Sequence, residues 1–300
     1  MASEPRVYII IINLEGFHDT QRCLLSLRLL AYANKEIIVI DNGSKGDDVL
    51  RLRGLFPEAK ILSTEVNGGF AAGNNIGMEI ALREGADYIF LLNNDTEILP
   101  DTLKILVEQA EKDSSIGIIG PAIYDLADPQ RLSITSGRVN LMNGVSSSEE
   151  LEKMHKGKDV EGIDIQFVAG CALLIKRSVI EQIGMLDETF FLYYEDVDWC
   201  LRASNGGFRT VYLSRAKVLH KRSSSVKTGS AFQIYHLIRS KMIFLRKYSP
   251  SFTLSLILHL VGQMRPVVAY FVTGRFAHLK AVVQGTADGL RSELSSLRRE

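Results

Sequence analysis

VYIIIIN, residues Val7 to Asn13, is an apolar run that closes on an amide, and four further short apolar runs follow before residue 121. EIIVIDN (Glu36 to Asn42), KILSTE (Lys60 to Glu65), YIFLLNND (Tyr88 to Asp95) and IGIIG (Ile116 to Gly120) have the length of buried strands. A membrane span would need about 20 apolar residues. Between the runs, Thr20 to Leu30, Asp47 to Phe56, Ala71 to Glu84 and Asp101 to Lys112 carry apolar residues at helical spacing. Strand alternating with helix predicts an α/β sheet wrapped by helices. The leading MASEPR lacks the usual n-region of a secretory signal, so Val7 to Ile12 is expected to be a first strand.

In sheets of this kind ligands collect beyond the carboxyl ends of the strands. Asn13, Asp41-Asn42-Gly43-Ser44, Asn67-Gly68-Gly69 and Asn93-Asn94-Asp95 all fall there, so one pocket is expected to gather them. Each also has a plain structural reading. The Asp41 to Ser44 run suits a tight turn, and Asp95 can cap the segment before Pro100. NGGFAAGNN, Asn67 to Asn75, fits neither G-x-G-x-x-G nor a P-loop. Its glycines would still let backbone approach a nucleotide, and a helix starting near Phe70 would offer N–H groups to an anion.

The densest chemistry is FFLYYEDVDWCLR, Phe190 to Arg202, where Glu195, Asp196 and Asp198 follow an aromatic run. Carboxylates against apolar walls are candidates for a general base, because desolvation raises their pKa. The competing reading is a helix N-terminus, where acids favour the macrodipole. A lone histidine such as His220 is more often a satisfied structural residue than a ligand.

Composition sets the frame. Three hundred residues, 46% hydrophobic and 23% charged, make one large or two modest globular domains and argue against disorder. Cys23, Cys171 and Cys200 are an odd set without C-x-x-C spacing, which excludes a disulfide framework and a zinc knuckle and fits a reducing compartment. The formal charge of zero hides a polarity: residues 1–198 hold 18 Lys and Arg against 32 Asp and Glu, whereas residues 199–287 hold 14 Lys and Arg and no acid. Such a basic third implies a diphosphate or a membrane surface as partner. Nucleic acid is not expected, because no recognised motif or aromatic stacking platform accompanies the charge.

VIDNGS, NGGFAAGNN, LLNND and the block VAGCALLIKRSVIEQIGMLDETFFLYYEDVDWCLRA through VLH, taken together, resemble the inverting family 2 glycosyltransferases, especially the bacterial rhamnosyltransferase branch. The resemblance runs in order from about Val7 to about Pro250, and several motifs agreeing is far more specific than one. It implies a GT-A fold with a mixed, mainly parallel sheet. Residues 1–250 would form the transferase domain, with a nucleotide-sugar-binding half to about residue 120 and an acceptor-binding, catalytic half at about 121–228. Residues 229–300 would be a C-terminal helical region.

Carried over residue by residue, the resemblance places Asp41 on the nucleotide base, with Asn13, Asn67, Gly69, Asn74 and Asn94 also on the donor. Asp95 would bind a Mg²⁺ or Mn²⁺ ion on the diphosphate, with His220 as a further ligand. Asn93 departs from the family's pattern, standing where its first Asp is usual, and an amide is a poorer cation ligand. Asp196 matches the catalytic base, with Glu195 as the alternative. Asp198, Arg202, Lys221 and Arg222 are candidates for acceptor or diphosphate contacts, and Lys227 extends the same basic run. An inverting transfer needs this set: one carboxylate to take the acceptor proton, and positive charge to neutralise the departing nucleoside diphosphate.

The implied donor is a nucleotide sugar, most readily dTDP-L-rhamnose, and the acceptor a glycan or polyprenyl-diphosphate-linked sugar at the cytoplasmic face of the cell membrane. Two other classes compete: a sugar nucleotidyltransferase, which would show a Gly-rich activating loop where this chain reads NLEGFHDT, and a binding protein without catalysis. Residues 141–163 read as a mobile loop on the acceptor side. A helix is predicted near Ala231 to Lys247. Phe252 to Phe276 is apolar but interrupted by His259, Gln263, Arg265 and Pro266, which predicts an interfacial element on an anionic membrane rather than a span. A core or homodimer helix is its alternative.

Overall fold

A computed structural model describes residues 4–133, 136–149, 151, 162–221 and 227–294. The strands are β1 (Val7–Asn13), β2 (Lys35–Asp41), β3 (Lys60–Ser63), β4 (Tyr88–Asn93), β5 (Thr96–Ile98), β6 (Ile116–Asp125), β7 (Arg138–Val139), β8 (Ser146–Ser147), β9 (Ile163–Asp164), β10 (Ala172–Lys176) and β11 (Arg209–His220). The helices, numbered in chain order, are α1 (Phe17–Arg28), α2 (Asp48–Leu55), α3 (Gly69–Arg83), α4 (Thr102–Lys112), α5 (Arg177–Ile183), α6 (Glu195–Asn205), α7 (Ala231–Tyr248), α8 (Phe252–Val272) and α9 (Phe276–Arg291).

The described residues build a nine-stranded sheet in the order β3-β2-β1-β4-β10-β6-β11-β5, with β9 paired to β11. Strands β3, β2, β1 and β4 are mutually parallel. β10 then enters antiparallel between β4 and β6, and β11 runs parallel to β6. The two expected halves thus share one sheet, continuous through β10. Side chains of β1 alternate between two cores, as a strand covered on both faces requires. Val7, Ile9 and Ile11 meet Leu24 and Leu27 of α1, while Tyr8 and Ile10 meet Met78 of α3 and join Trp199 and Phe244. Each large side chain so buried is worth roughly 1.5–3 kcal/mol relative to exposure.

The first four helices begin and end within three residues of their expected bounds. The apolar spacing that located them is the spacing that buries them, as with Leu103, Leu106, Val107 and Ala110 of α4. Patterning did not pick out β10 or β11, whose pairing lies between segments distant in sequence. Of the expected loop at 141–163, Ser146–Ser147 form β8, which pairs with β7 just before the loop as a short hairpin, and Ile163 starts β9, while residues 150 and 152–161 lie outside the described residues. All three cysteines are buried and unbridged.

Candidate active site

The in-register ends of β1 and β2 bring Asn13 opposite Asp41. Asn13 Nδ2 donates to Asp41 Oδ2 at 2.6 Å and to Asp48 Oδ2 at 3.1 Å, and Asn13 Oδ1 accepts from Thr20 Oγ1 at 2.6 Å. Asp41 Oδ1 accepts the Ser44 N–H at 2.9 Å. Asp41 is 1% exposed, so in this conformation it supports the turn after β2 instead of facing solvent. Asn94 likewise points inward, its Nδ2 on Thr20 Oγ1 at 3.0 Å.

The Asn67 to Asn75 stretch corrects an expectation. The N–H groups at the start of α3 are already spoken for: Gly68 donates to Asn42 Oδ1 at 3.1 Å, Gly69 to Asn67 Oδ1 at 2.9 Å and Phe70 to the Phe191 carbonyl at 2.8 Å. Three donors at this helix N-terminus are thus already satisfied within the protein. Gly69 has φ +87°, and a Cβ added to it would stand 2.4 Å from the Phe191 carbonyl oxygen. The close approach it permits is to the loop before the acid block, not to a phosphate. Asn74 is also corrected, since it is 1% exposed with Nδ2 on the Phe70 carbonyl at 2.9 Å. Asn67 keeps an exposed face at the same strand ends.

Beyond β4, Asp95 Oδ1 stands 3.0 Å from His220 Nε2, joined by the pairing of β5 with β11 that sets His220 opposite Thr96. Asp95 is 7% exposed, and His220 Nδ1 is buried without a hydrogen-bond partner, which leaves Asp95 to orient the ring. Two neighbouring ligands of an octahedral ion, each about 2.1 Å from it, lie about 3.0 Å apart, so a carboxylate and an imidazole at this separation fit a divalent cation. Among the described residues no group of three His, Cys, Asp or Glu forms a closed metal site. A cation here would have coordination positions open to diphosphate oxygens and water. Asn93 is partly exposed at the same turn.

The acid block opens α6, as the helix-terminus reading expects, and it is also strongly perturbed. Asp196 Oδ2 accepts the Gly170 N–H at 2.8 Å and Oδ1 accepts the Val197 N–H at 2.8 Å. Burial nonetheless holds its carboxyl above the ordinary range, outweighing the backbone N–H groups of Gly170, Val197 and Asp196 that favour the anion. Glu195 is 5% exposed, its Oε2 has no partner, and burial and then the neighbouring Asp196 push it well above the usual carboxylate range. Asp196 sits closer to the surface than Glu195. The Cys171 carbonyl accepts the Asn93 N–H at 2.9 Å, one residue from the Gly170 that holds Asp196. Gly170 and Cys171 therefore link the end of β4 to the start of α6.

Asp198 and Arg202 are a correction. Asp198 is fully buried, with Oδ2 on Arg202 Nε at 2.8 Å and Oδ1 on Lys247 Nζ at 2.6 Å and Tyr248 Oη at 2.7 Å. Arg202 donates onward to the carbonyls of Ile183 and Met185. These residues clamp α6 to α7 and have no face for an acceptor. Lys221 follows His220, donates its N–H to the Asp95 carbonyl and reaches Asp19 with Nζ at 2.9 Å. Arg222 lies outside the described residues.

Sequence reasoning placed Asn42 at the strand ends without a role of its own, and it ties Asn67 and the Gly69 carbonyl with its Nδ2; it missed Gly170, where a Cβ would meet Phe70 Cε1 at 3.3 Å and Asp196 Cβ at 3.4 Å. Asn42 stood beside a flagged residue at a strand end. Gly170 gave no local signal, because the side chains it accommodates come from α3 and α6.

The fold is that of known nucleotide-sugar transferases. It matches GalNAc-T7 with UDP, GalNAc and Mn²⁺ at a TM-score of 0.66 and 14% identity, over 84% of this chain and half of that one. It matches a mannosyltransferase from Pyrobaculum calidifontis, in complex with GDP-Man and Mn²⁺, at a TM-score of 0.59 and 15% identity, over 96% of this chain and 88% of that one. These likenesses define the class as a GT-A fold. The model of glycosyl transferase family 2 matches residues 8–184, and the chain belongs to that family. It is 26% identical over 246 residues to the N-acetylglucosaminyl-diphospho-decaprenol L-rhamnosyltransferase of Mycobacterium tuberculosis, covering 75% of this chain and 79% of that protein. It is 25% identical over 235 residues to a dTDP-rhamnosyl transferase of Shigella flexneri, covering 75% and 76%. The chain is therefore a glycosyltransferase, which sets aside the nucleotidyltransferase reading.

Proposed function

We propose that this glycosyltransferase moves L-rhamnose from dTDP-L-rhamnose, with inversion, to a hydroxyl of a glycan or polyprenyl-diphosphate-linked acceptor, at the inner face of the cell membrane. The observation that carries the donor is similarity to two rhamnosyltransferases across three quarters of the chain. The lipid-linked acceptor rests on the decaprenol in the name of one of them.

The residues divide the work by position. Asn13, Asp41 and Asn94 form the buried floor beneath the strand ends, and Asn67 and Asn93 offer the more exposed amides above it. Asp196 takes the proton of the acceptor hydroxyl as its oxygen bonds to the anomeric carbon and the bond from that carbon to the diphosphate oxygen breaks. Its raised pKa makes it a better proton acceptor than an ordinary carboxylate, and its anion is still held by the Gly170 and Val197 N–H groups. Asp95 and His220 would hold a divalent cation, whose chemistry there is to neutralise charge developing on the leaving diphosphate. Lys221 adds positive charge beside them.

The test is release of nucleoside diphosphate by purified protein, screened across dTDP-, UDP- and GDP-sugars with and without a polyprenyl-diphosphate-linked acceptor. Acceptor-dependent dTDP release from dTDP-L-rhamnose is expected. A preference for a UDP- or GDP-sugar would overturn the donor and leave the transferase standing.

A further inference from the structure

Helix α8 leaves most of its apolar residues outside: of them, Phe252 and Leu256 pack, partly buried, against the core. Of its 21 residues the buried ones are Ser255 and His259, both polar. Ser255 Oγ meets Ser249 Oγ at 2.6 Å and Met142 Sδ at 3.4 Å, and His259 Nε2 meets Thr286 Oγ1 of α9 at 3.2 Å. On the other side Leu254, Ile257, Val261, Met264, Val268 and Val272 recur at steps of three and four and are 45–77% exposed. They form one stripe along the helix. Phe271 and Phe276, 65% and 62% exposed, extend it over the turn to α9. Single exposed apolar residues are ordinary, but a continuous stripe of this length marks an interaction surface. Packing polar side chains inward and branched aliphatics outward suits a helix whose outer solvent is apolar.

The charges around the stripe say what covers it. Arg265, Arg275 and Lys280 are exposed at and beyond its far end, and residues 199–287 contain no acid. A second copy placed face to face by two-fold symmetry would bring up the same acid-free 199–287 surface, with no carboxylate from it to pair these cations. A spanning helix is disfavoured by Arg265 and Pro266 within it and by its polar side being packed on protein. An apolar stripe with a basic border is instead what an anionic lipid surface attracts.

We infer that the outer stripe of α8 docks the protein in the interface of an anionic lipid bilayer. This rests on the membrane-face reading above and adds the surface that performs it. The near end of α8 also reaches the site through two contacts: Ser255 on Met142, and the Gly144 carbonyl on Tyr194 Oη at 2.7 Å, directly before Glu195. Docking would thus bring the turn that opens α6 to the side from which a lipid-linked acceptor arrives.

The test uses the full chain, without donor or acceptor, co-sedimented with phosphatidylglycerol or phosphatidylcholine vesicles across a salt series. Wild type is expected to bind the anionic vesicles, less so as salt rises. Combining Ile257→Ser, Val261→Ser and Val268→Ser, all exposed and hence compatible with folding, is expected to weaken binding at least about 10²-fold. Arg265→Gln, Arg275→Gln and Lys280→Gln together should cost about fivefold per charge on anionic vesicles alone. Circular dichroism and transfer to a soluble acceptor should stay at wild-type levels in both variants. If wild type binds vesicles and the serine variant binds equally well, α8 is not the docking surface, although the membrane reading survives. No vesicle binding by wild type, or a dimer that the serine variant dissolves, would overturn the inference.

Discussion

At the scale of single residues, Glu195 and Asp196 are both raised by burial, yet they differ in what they can reach. Asp196 has the Gly170 and Val197 N–H groups to steady its anion, while Glu195 has a bare Oε2 in the interior. Asp196→Asn is expected to keep the fold and lower turnover at least about 10²-fold, the scale of a lost general base; near-normal turnover at saturating donor and acceptor would sink the role. The wild-type rate should fall as pH drops through the raised Asp196 pKa, because the base must be ionised. Stability runs the other way. Between the ordinary carboxylate pKa and the raised one, the folded state keeps a proton that the unfolded chain releases, so rising pH through that window destabilises the protein. Glu195→Gln should therefore raise Tm at neutral pH, by a margin that shrinks as pH falls toward the ordinary carboxylate range and is gone below it, and should leave transfer largely intact. For the cation pair, Asp95→Ala and His220→Ala are each expected to raise the Mg²⁺ or Mn²⁺ concentration needed for half-maximal activity by about 10-fold or more. Full wild-type activity after exhaustive chelation would remove the metal from the reaction.

At the scale of elements, α7 governs the approach to α6. Tyr193 and Tyr194 both sit at φ +69°, a left-handed conformation that side chains rarely adopt. Strain of this kind costs roughly 1–3 kcal/mol per residue and persists only where neighbours impose it. Here Ser240 Oγ donates to the Leu192 carbonyl at 2.8 Å, Gln233 Nε2 to Tyr193 Oη at 3.1 Å and Arg239 to the Thr189 carbonyl at 2.9 Å. Below them Asp198 bridges Arg202 and Lys247, which also pairs with Asp187 at 3.0 Å. Asp198→Asn removes the buried carboxylate that Arg202 and Lys247 share and leaves Arg202 without a counter-charge there, so a loss of about 3–5 kcal/mol is expected in denaturant unfolding. A change below about 1 kcal/mol, the range of an exposed pair, would show the network to be dispensable. Such a result would also reopen Asp198 to an acceptor role.

Across the whole molecule, the charge polarity of the chain has separate outlets. Lys247 and Arg202 serve the interior, Lys221 faces Asp19 beside the site, and Arg265, Arg275 and Lys280 border the α8 stripe. Histidine adds a global pH response. His236 is stacked on Phe191 at 4.6 Å and packed by Phe232 and Tyr235, and burial, then Arg239, lower its pKa to about 4. From its ordinary 6.5 down to about 4, the unfolded chain takes up a proton that the folded state refuses, so stability is lost across that window and no further below it. Thermal melts of His236→Phe, which keeps an aromatic ring, should fall less steeply than wild type between pH 6.5 and 4. Parallel curves would assign the acid response to other groups.

Patterning alone settled the strand and helix alternation of the first 120 residues and the placing of candidate groups at strand ends. These depend on the spacing of apolar residues along one segment, which is a local property. Tertiary structure decided what those groups do. Asn74 and Gly69 looked like donor contacts, but one bonds its own helix and the other admits Phe191. Asp198 looked like Asp196 at two residues' distance, yet helical rotation sends it into the core against α7 while Asp196 stays near the surface. The 3.0 Å approach of Asp95 to His220 joins residues 125 positions apart, and it exists only because β11 returns beside β5. Spacing along a chain reports one face of one element, whereas burial, pKa and ligand geometry are set by whichever element packs opposite, and only the folded sheet brings that partner into place.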